Sequence, residues 1–196
     1  MGESGQKKLR VSYNAPVVLT FSIISFLALL LGILTNNKST QLLFCTYRSS
    51  FTDILMYLRL FTHVLGHANW QHFFNNMLMF MLIGPLLEEK YGSKMILEMI
   101  VLTAGITGLL NNILFPHTAL LGASGIVFMF IMLSSLTAFR EKEIPLTFIV
   151  VLVMYIGQEI INGLFTSDNI AQSAHLLGGA CGSFFGFFVN KNKKAV

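Results

Sequence analysis

Charged side chains make up only 11% of this chain of 196 residues, against 54% hydrophobic, and the mean hydropathy is +0.69. So little charge excludes an ordinary soluble domain, and so much apolar sequence excludes disorder. Aspartate is scarcer still. Asp53 and Asp168 are the only two, and neither lies in an apolar stretch, which excludes an intramembrane protease built on paired aspartates. The two cysteines, Cys45 and Cys181, fall at different depths, which argues against a disulfide, and they lack metal-binding spacing. No His-Glu-x-x-His occurs, so the cluster of His63, His67 and His72 has no carboxylate to activate a zinc-bound water. A Pro/Gly/Ser linker, an internal repeat and the paired half-segments of a transporter are also missing.

What remains is six apolar runs of roughly the 17 to 25 residues that a bilayer requires, and these define an all-α, polytopic membrane protein. The expected spans are 17–34, 73–87, 95–115, 120–139, 144–165 and 171–189, in one domain covering residues 1–196. The first is too long for a signal-peptide core and is read as an uncleaved anchor. Ten basic residues, Lys7, Lys8, Arg10, Lys90, Lys94, Arg140, Lys142, Lys191, Lys193 and Lys194, lie on one side of this arrangement. Lys38, Arg48 and Arg59 lie on the other. The positive-inside rule therefore puts both termini in the cytoplasm, and the net charge of +4 calls for no nucleic-acid partner. The connection from Thr35 to Gln71 carries too many apolar residues for a solvated loop and predicts short amphipathic helices in the outer membrane interface.

Polar groups inside three of these runs need an account, because each costs on the order of 2.5 to 3.5 kcal/mol in hydrocarbon if ionisable. Ser124, His175 and His72 stand 15, 14 and 15 residues before the cytoplasmic ends of their runs. Helical rise puts all three about 21 to 23 Å above the inner boundary of the hydrocarbon, at one level below its outer edge. Ser124, within Gly122-Ala-Ser-Gly125, sits at a loop-to-helix junction where a backbone N–H is unpaired. Taken alone, such a motif reads equally well as close helix packing through small residues. His175 shares a helical face with Gly178, Gly182 and Gly186, which admits a very close neighbour. If that neighbour is the fourth span, His175 becomes the general base for Ser124; otherwise it is a histidine hydrogen-bonded between helices. His72 and Asn76, four apart on one face, are neutral donors suited to an oxyanion, or else to capping and packing. With no acid in reach the set reads as a Ser-His dyad, and Glu159, in the outer half of the fifth span, reads as structural.

Together these residues resemble the rhomboid intramembrane serine proteases over most of the chain. The family's Gly-x-Ser-Gly matches Gly122, Ala123, Ser124 and Gly125, its His-x-x-x-Asn matches His72 and Asn76, and its Ala-His-x-x-Gly matches Ala174, His175 and Gly178. Arg59 to His67 is similar to the stretch before the family's second span, and Glu88 and Gly92 to the turn that ends it. Leu58 departs from a frequent tryptophan, and Phe128 from a tyrosine that stacks on the catalytic histidine. The resemblance implies a six-transmembrane-helix bundle around a water-filled cavity open to the outer side, with Ser124, His175, His72 and Asn76 as catalytic residues and no cofactor or metal. It implies cleavage of transmembrane segments of other membrane proteins, which reach the site sideways from the lipid bilayer near the second and fifth spans. Thr166 to Ser173 would form a mobile cap. A compact chain without organelle-targeting features points to a bacterial inner (plasma) membrane. The non-enzymatic alternative, a rhomboid-like pseudoprotease that escorts membrane clients, would lack the nucleophile or the base, and both are here.

Overall fold

The structure, a computed structural model, describes residues 12–136, six isolated positions between 146 and 157, and 169–192, with side chains of the last helix from 175 to 188. The described residues are helical, joined by loops, with no strand beyond one isolated bridge between Thr46 and Leu120. In chain order the helices are α1 (Pro16–Leu34), α2 (Lys38–Leu43), α3 (Ile54–Thr62), α4 (Trp70–Tyr91), α5 (Ser93–Leu114), α6 (Ser124–Ser135) and α7 (Asn169–Asn192). A 3-10 turn, His63–Leu65, continues α3.

Local chemistry sets where these helices begin and end. α1 opens with Pro16 at its first turn, where the missing N–H costs nothing, and Ala15 offers no side-chain cap. The cap comes instead from Glu88 at the far end of α4, whose carboxylate accepts the N–H groups of Val17 (2.9 Å) and Val18 (3.0 Å). A buried carboxylate is thereby satisfied and two orphan donors are neutralised in one contact. α4 starts at Asn69, whose Oδ1 accepts the N–H of His72 at 2.9 Å. It stops at Gly92, which adopts φ +84° and lets α5 begin one residue later.

Burial then selects the faces. α4 and α6 pack through Phe80 and Phe130, stacked 5.1 Å apart and both fully buried, and Phe21 of α1 lies 4.7 Å from Phe80. The opposite faces are apolar too. Ile23, Leu27 and Leu31 of α1, Phe74, Leu78 and Leu82 of α4, and Leu102, Ile106 and Ile113 of α5 are all exposed. A protein in water would not show such a surface on three helices; a lipid-facing bundle requires it.

Several expectations shift. Among the described residues only α1 and α5 are long and apolar enough, by length and composition, to pass as membrane spans. α4 runs from Trp70 to Tyr91 where a span of 73–87 was expected, because Asn69 and Gly92 carry the helix past its apolar core at both ends. The expected fourth span begins too early at 120. Leu120 is bridged to Thr46 and Gly122 adopts φ +120°, so the helix cannot form before Ser124. Asn169 to Ser173, read as part of a loop with Thr166, instead open α7, and the last span begins at Asn169 rather than 171. The fifth span, 144–165, falls almost wholly outside the described residues, as do Glu159, Thr166 and Asp168.

Candidate active site

Ser124 is the first residue of α6, and the turn before it explains its setting. At φ +120° Gly122 occupies backbone space that a side chain would strain, and a Cβ there would come within 2.7 Å of His72 Nε2 and 3.6 Å of Asn76 Nδ2. Glycine is thus needed twice over, and its position brings the α4 pair against the turn that precedes Ser124. Ala123 supplies no side-chain cap to α6, its carbonyl accepts the N–H groups of Ile126 and Val127 (2.9 Å each), and Ser124 itself is half-buried.

His175 arrives on α7, and the glycines of its face decide how close it comes. A Cβ on Gly178 would meet the carbonyl oxygen of Gly125 at 1.9 Å, and one on Gly182 would meet that of Met129 at 2.3 Å. The two backbones are therefore in direct contact, and α6 and α7 form the most extensive helix pair of the fold. His175, half-buried one turn above Gly178, has its ring 4.4 Å from that of Phe128, tilted by 42°. Phe128 thus lies against the ring of His175.

On α4, His72 accepts a long contact from the N–H of Ala68 at Nδ1 (3.5 Å), which leaves Nε2 to carry the proton on the side of Gly122. Asn76 is buried, and its Nδ2 has no hydrogen-bond partner among the described residues. A buried amide donor left unpaired costs about 1–3 kcal/mol. Asn75 is exposed and faces away. Glu98 also lies apart, exposed and 3.9 Å from Lys94 on the same face of α5.

Residues of the loop between α1 and α4 frame this site. His63 donates from Nδ1 to the carbonyls of Arg59 (3.2 Å) and Leu60 (3.1 Å), turns Nε2 toward Thr107 of α5 (3.4 Å), and accepts the N–H of Gly122 on its own carbonyl at 2.9 Å. His67 donates to the carbonyl of Leu65 and packs edge-on against His72, with ring centroids 5.1 Å apart. Burial pushes both imidazoles down to about 4, helped at His67 by the charge of His72 and opposed at both by their carbonyl contacts. Both rings are neutral at physiological pH. Arg59, 1% exposed, pairs with Asp53, reaches Ser49 and the Leu42 carbonyl, and lies 4.5 Å over the Tyr47 ring. Its hydrogen bond holds the Asp53 carboxyl below its usual range. Burial pushes the Cys45 thiol up to about 11, so it is inert, and both cysteines are free.

Sequence reasoning did not find Thr46, Thr107, Asn112, or the roles of Asp53 and Glu88. A signal was present for two of them, Thr107 and Asn112: with Thr103 and Asn111 they interrupt an apolar span at helical spacing, and all four are buried. A polar stripe turned inward in a membrane helix has polar business there.

Comparison with known proteins identifies the family. The chain is 26% identical over 173 residues to Rhomboid protease GlpG of Haemophilus influenzae, covering 78% of this chain and 88% of that protein. It is 28% identical over 194 residues to Rhomboid protease GluP of Bacillus subtilis, and 28% over 143 residues to Rhomboid-related protein 1 of Caenorhabditis elegans. Those alignments cover 93% and 68% of this chain but only 37% and 40% of the two relatives, which are much longer. Residues 55–192 match the Rhomboid domain, and the chain belongs to the rhomboid family of integral membrane proteins.

Proposed function

We propose that this rhomboid-family chain, an intramembrane serine protease, cuts transmembrane segments of other membrane proteins by a dyad of Ser124 and His175. The observation that carries the reading is the convergence on the Gly122 turn. His72 Nε2 and the unpaired Asn76 Nδ2 lie beside it, and α7 brings His175 to the helix that Ser124 opens.

In this reaction Ser124 Oγ attacks the scissile carbonyl while His175 takes its proton. Charge develops on the carbonyl oxygen, and the N–H of Ser124, His72 Nε2–H and Asn76 Nδ2 donate to it; none of the three changes charge in doing so. His175 then gives its proton to the leaving amine, and a water activated by the same ring releases the acyl group. Phe128 orients the His175 ring by contact.

The architecture that goes with this chemistry is a single domain of six spans, with the fifth at 144–165, around a water-filled cavity open to the outer face. Both termini lie in the cytoplasm and the bilayer is the bacterial inner membrane; the two bacterial relatives and the distribution of basic residues support this. Substrates reach the site from the bilayer. The test is cleavage of a transmembrane reporter in liposomes: the unaltered chain cuts it, while Ser124→Ala and His175→Ala do not. Cleavage that survives either substitution overturns the dyad.

A further inference from the structure

The segment that delivers Ser124 has few anchors. Among the described residues, the backbone of 119–123 makes three hydrogen bonds to other parts of the chain. Two form the bridge between Leu120 and Thr46 (2.8 and 2.9 Å), and the third joins the N–H of Gly122 to the His63 carbonyl. Three residues separate Leu120 from Ser124, so whatever moves Leu120 moves the serine. Thr46 itself lies in the irregular stretch between α2 and α3, with no helix to fix it.

Its side chain supplies the fixing. Thr46 is fully buried, and the Asn112 amide grips its hydroxyl with both arms: Nδ2 donates to Oγ1 at 3.1 Å, and the hydroxyl faces Oδ1 at 3.3 Å. Asn112 is itself buried and sits in the last turn of α5, a long helix packed against α3, α6 and α7. Paired polar groups in such a place are geometrically specific, because neither has water to fall back on.

We propose that Thr46 and Asn112 are positioning residues for the nucleophile, acting as one latch that ties the Leu120–Gly122 segment to α5 and so sets where Ser124 stands. This rests on Ser124 being the nucleophile. The latch touches neither substrate nor reacting atoms. It fixes the height and direction from which α6 starts, and misplacing a reacting group by about 1 Å costs about a hundredfold in rate.

The test is the second-order rate of labelling by a fluorophosphonate, measured on the full chain, per folded molecule and well below the unfolding temperature. Thr46→Val keeps the size and the backbone bridge but deletes the hydroxyl; Asn112→Ala deletes the amide. Each should slow labelling about tenfold, and the pair together no more than Asn112→Ala alone, because one latch can be broken only once. Thr46→Ser should restore the rate, and KM for a transmembrane substrate should stay unchanged while kcat falls. If Asn112→Ala fails to fold, Asn112→Gln, which displaces the amide by one methylene, carries the same expectation. Rates per folded molecule equal to the unaltered chain, or losses that multiply in the double variant, would overturn the latch. Labelling that persists in Ser124→Ala would instead overturn the nucleophile on which it rests.

Discussion

The α6–α7 contact and the loop between α1 and α4 both serve the same few side chains, yet they are built on opposite principles. Between α6 and α7 the backbones touch through Gly178 and Gly182, with phenylalanine and methionine around them. In the loop, Arg59, Asp53, His63 and Thr46 are held by hydrogen bonds, the last of them to Asn112 of α5, and most are buried. The difference follows from the surroundings. Two helices in hydrocarbon gain nothing from burying apolar surface against each other, so they approach by removing side chains. An irregular loop has backbone groups that helix geometry does not satisfy, so polar side chains must do it. Placement of His175 thus depends on small volume, and placement of the Gly122 turn on polar partners.

The sharpest way to break one side of this contrast is Gly178→Ala. Its methyl would sit 1.9 Å from a backbone oxygen that cannot swing aside, so α7 must move outward and carry His175 with it. Cleavage should fall by about a hundredfold, with a lower melting temperature in detergent. Acid attacks the other side. The unfolded chain takes up protons on His63 and His67 near their ordinary value of 6.5, whereas the folded chain does so only near 4. Stability is therefore complete above about pH 6.5 and drains away as pH falls toward 4, by up to one proton for each ring. Unfolding in detergent as a function of pH should show this slope, His67→Gln should reduce it, and Gly178→Ala should leave it alone. The smallest change sharpens the contrast by adding a polar group to the apolar side. Phe128→Tyr keeps the ring over His175 and should alter turnover by no more than about threefold, read from kcat on a reporter substrate.

Much of the fold was legible because a bilayer demands long apolar runs, and the described helices fall on the expected ones. Their ends were not, since caps such as Asn69 and the Glu88 carboxylate act beyond the apolar core, in the second case across 70 residues of chain. The chemical residues stood out as polar groups at a shared depth in apolar sequence. Their support did not. Thr46 looks like any loop threonine until Leu120 lies beside it, and Asp53 and Arg59 pair only once α3 has formed. Leu120 to Ala123 read as helix because the stretch is apolar, and became an extended turn because Gly122 permits a backbone that other residues resist.

The most direct test of the central claim is to treat the purified chain with a fluorophosphonate and locate the adduct by mass spectrometry. The expected result is one phosphonylated residue, Ser124, with labelling lost in His175→Ala. An adduct on any other side chain, or labelling of Ser124 at an undiminished rate without His175, would contradict it.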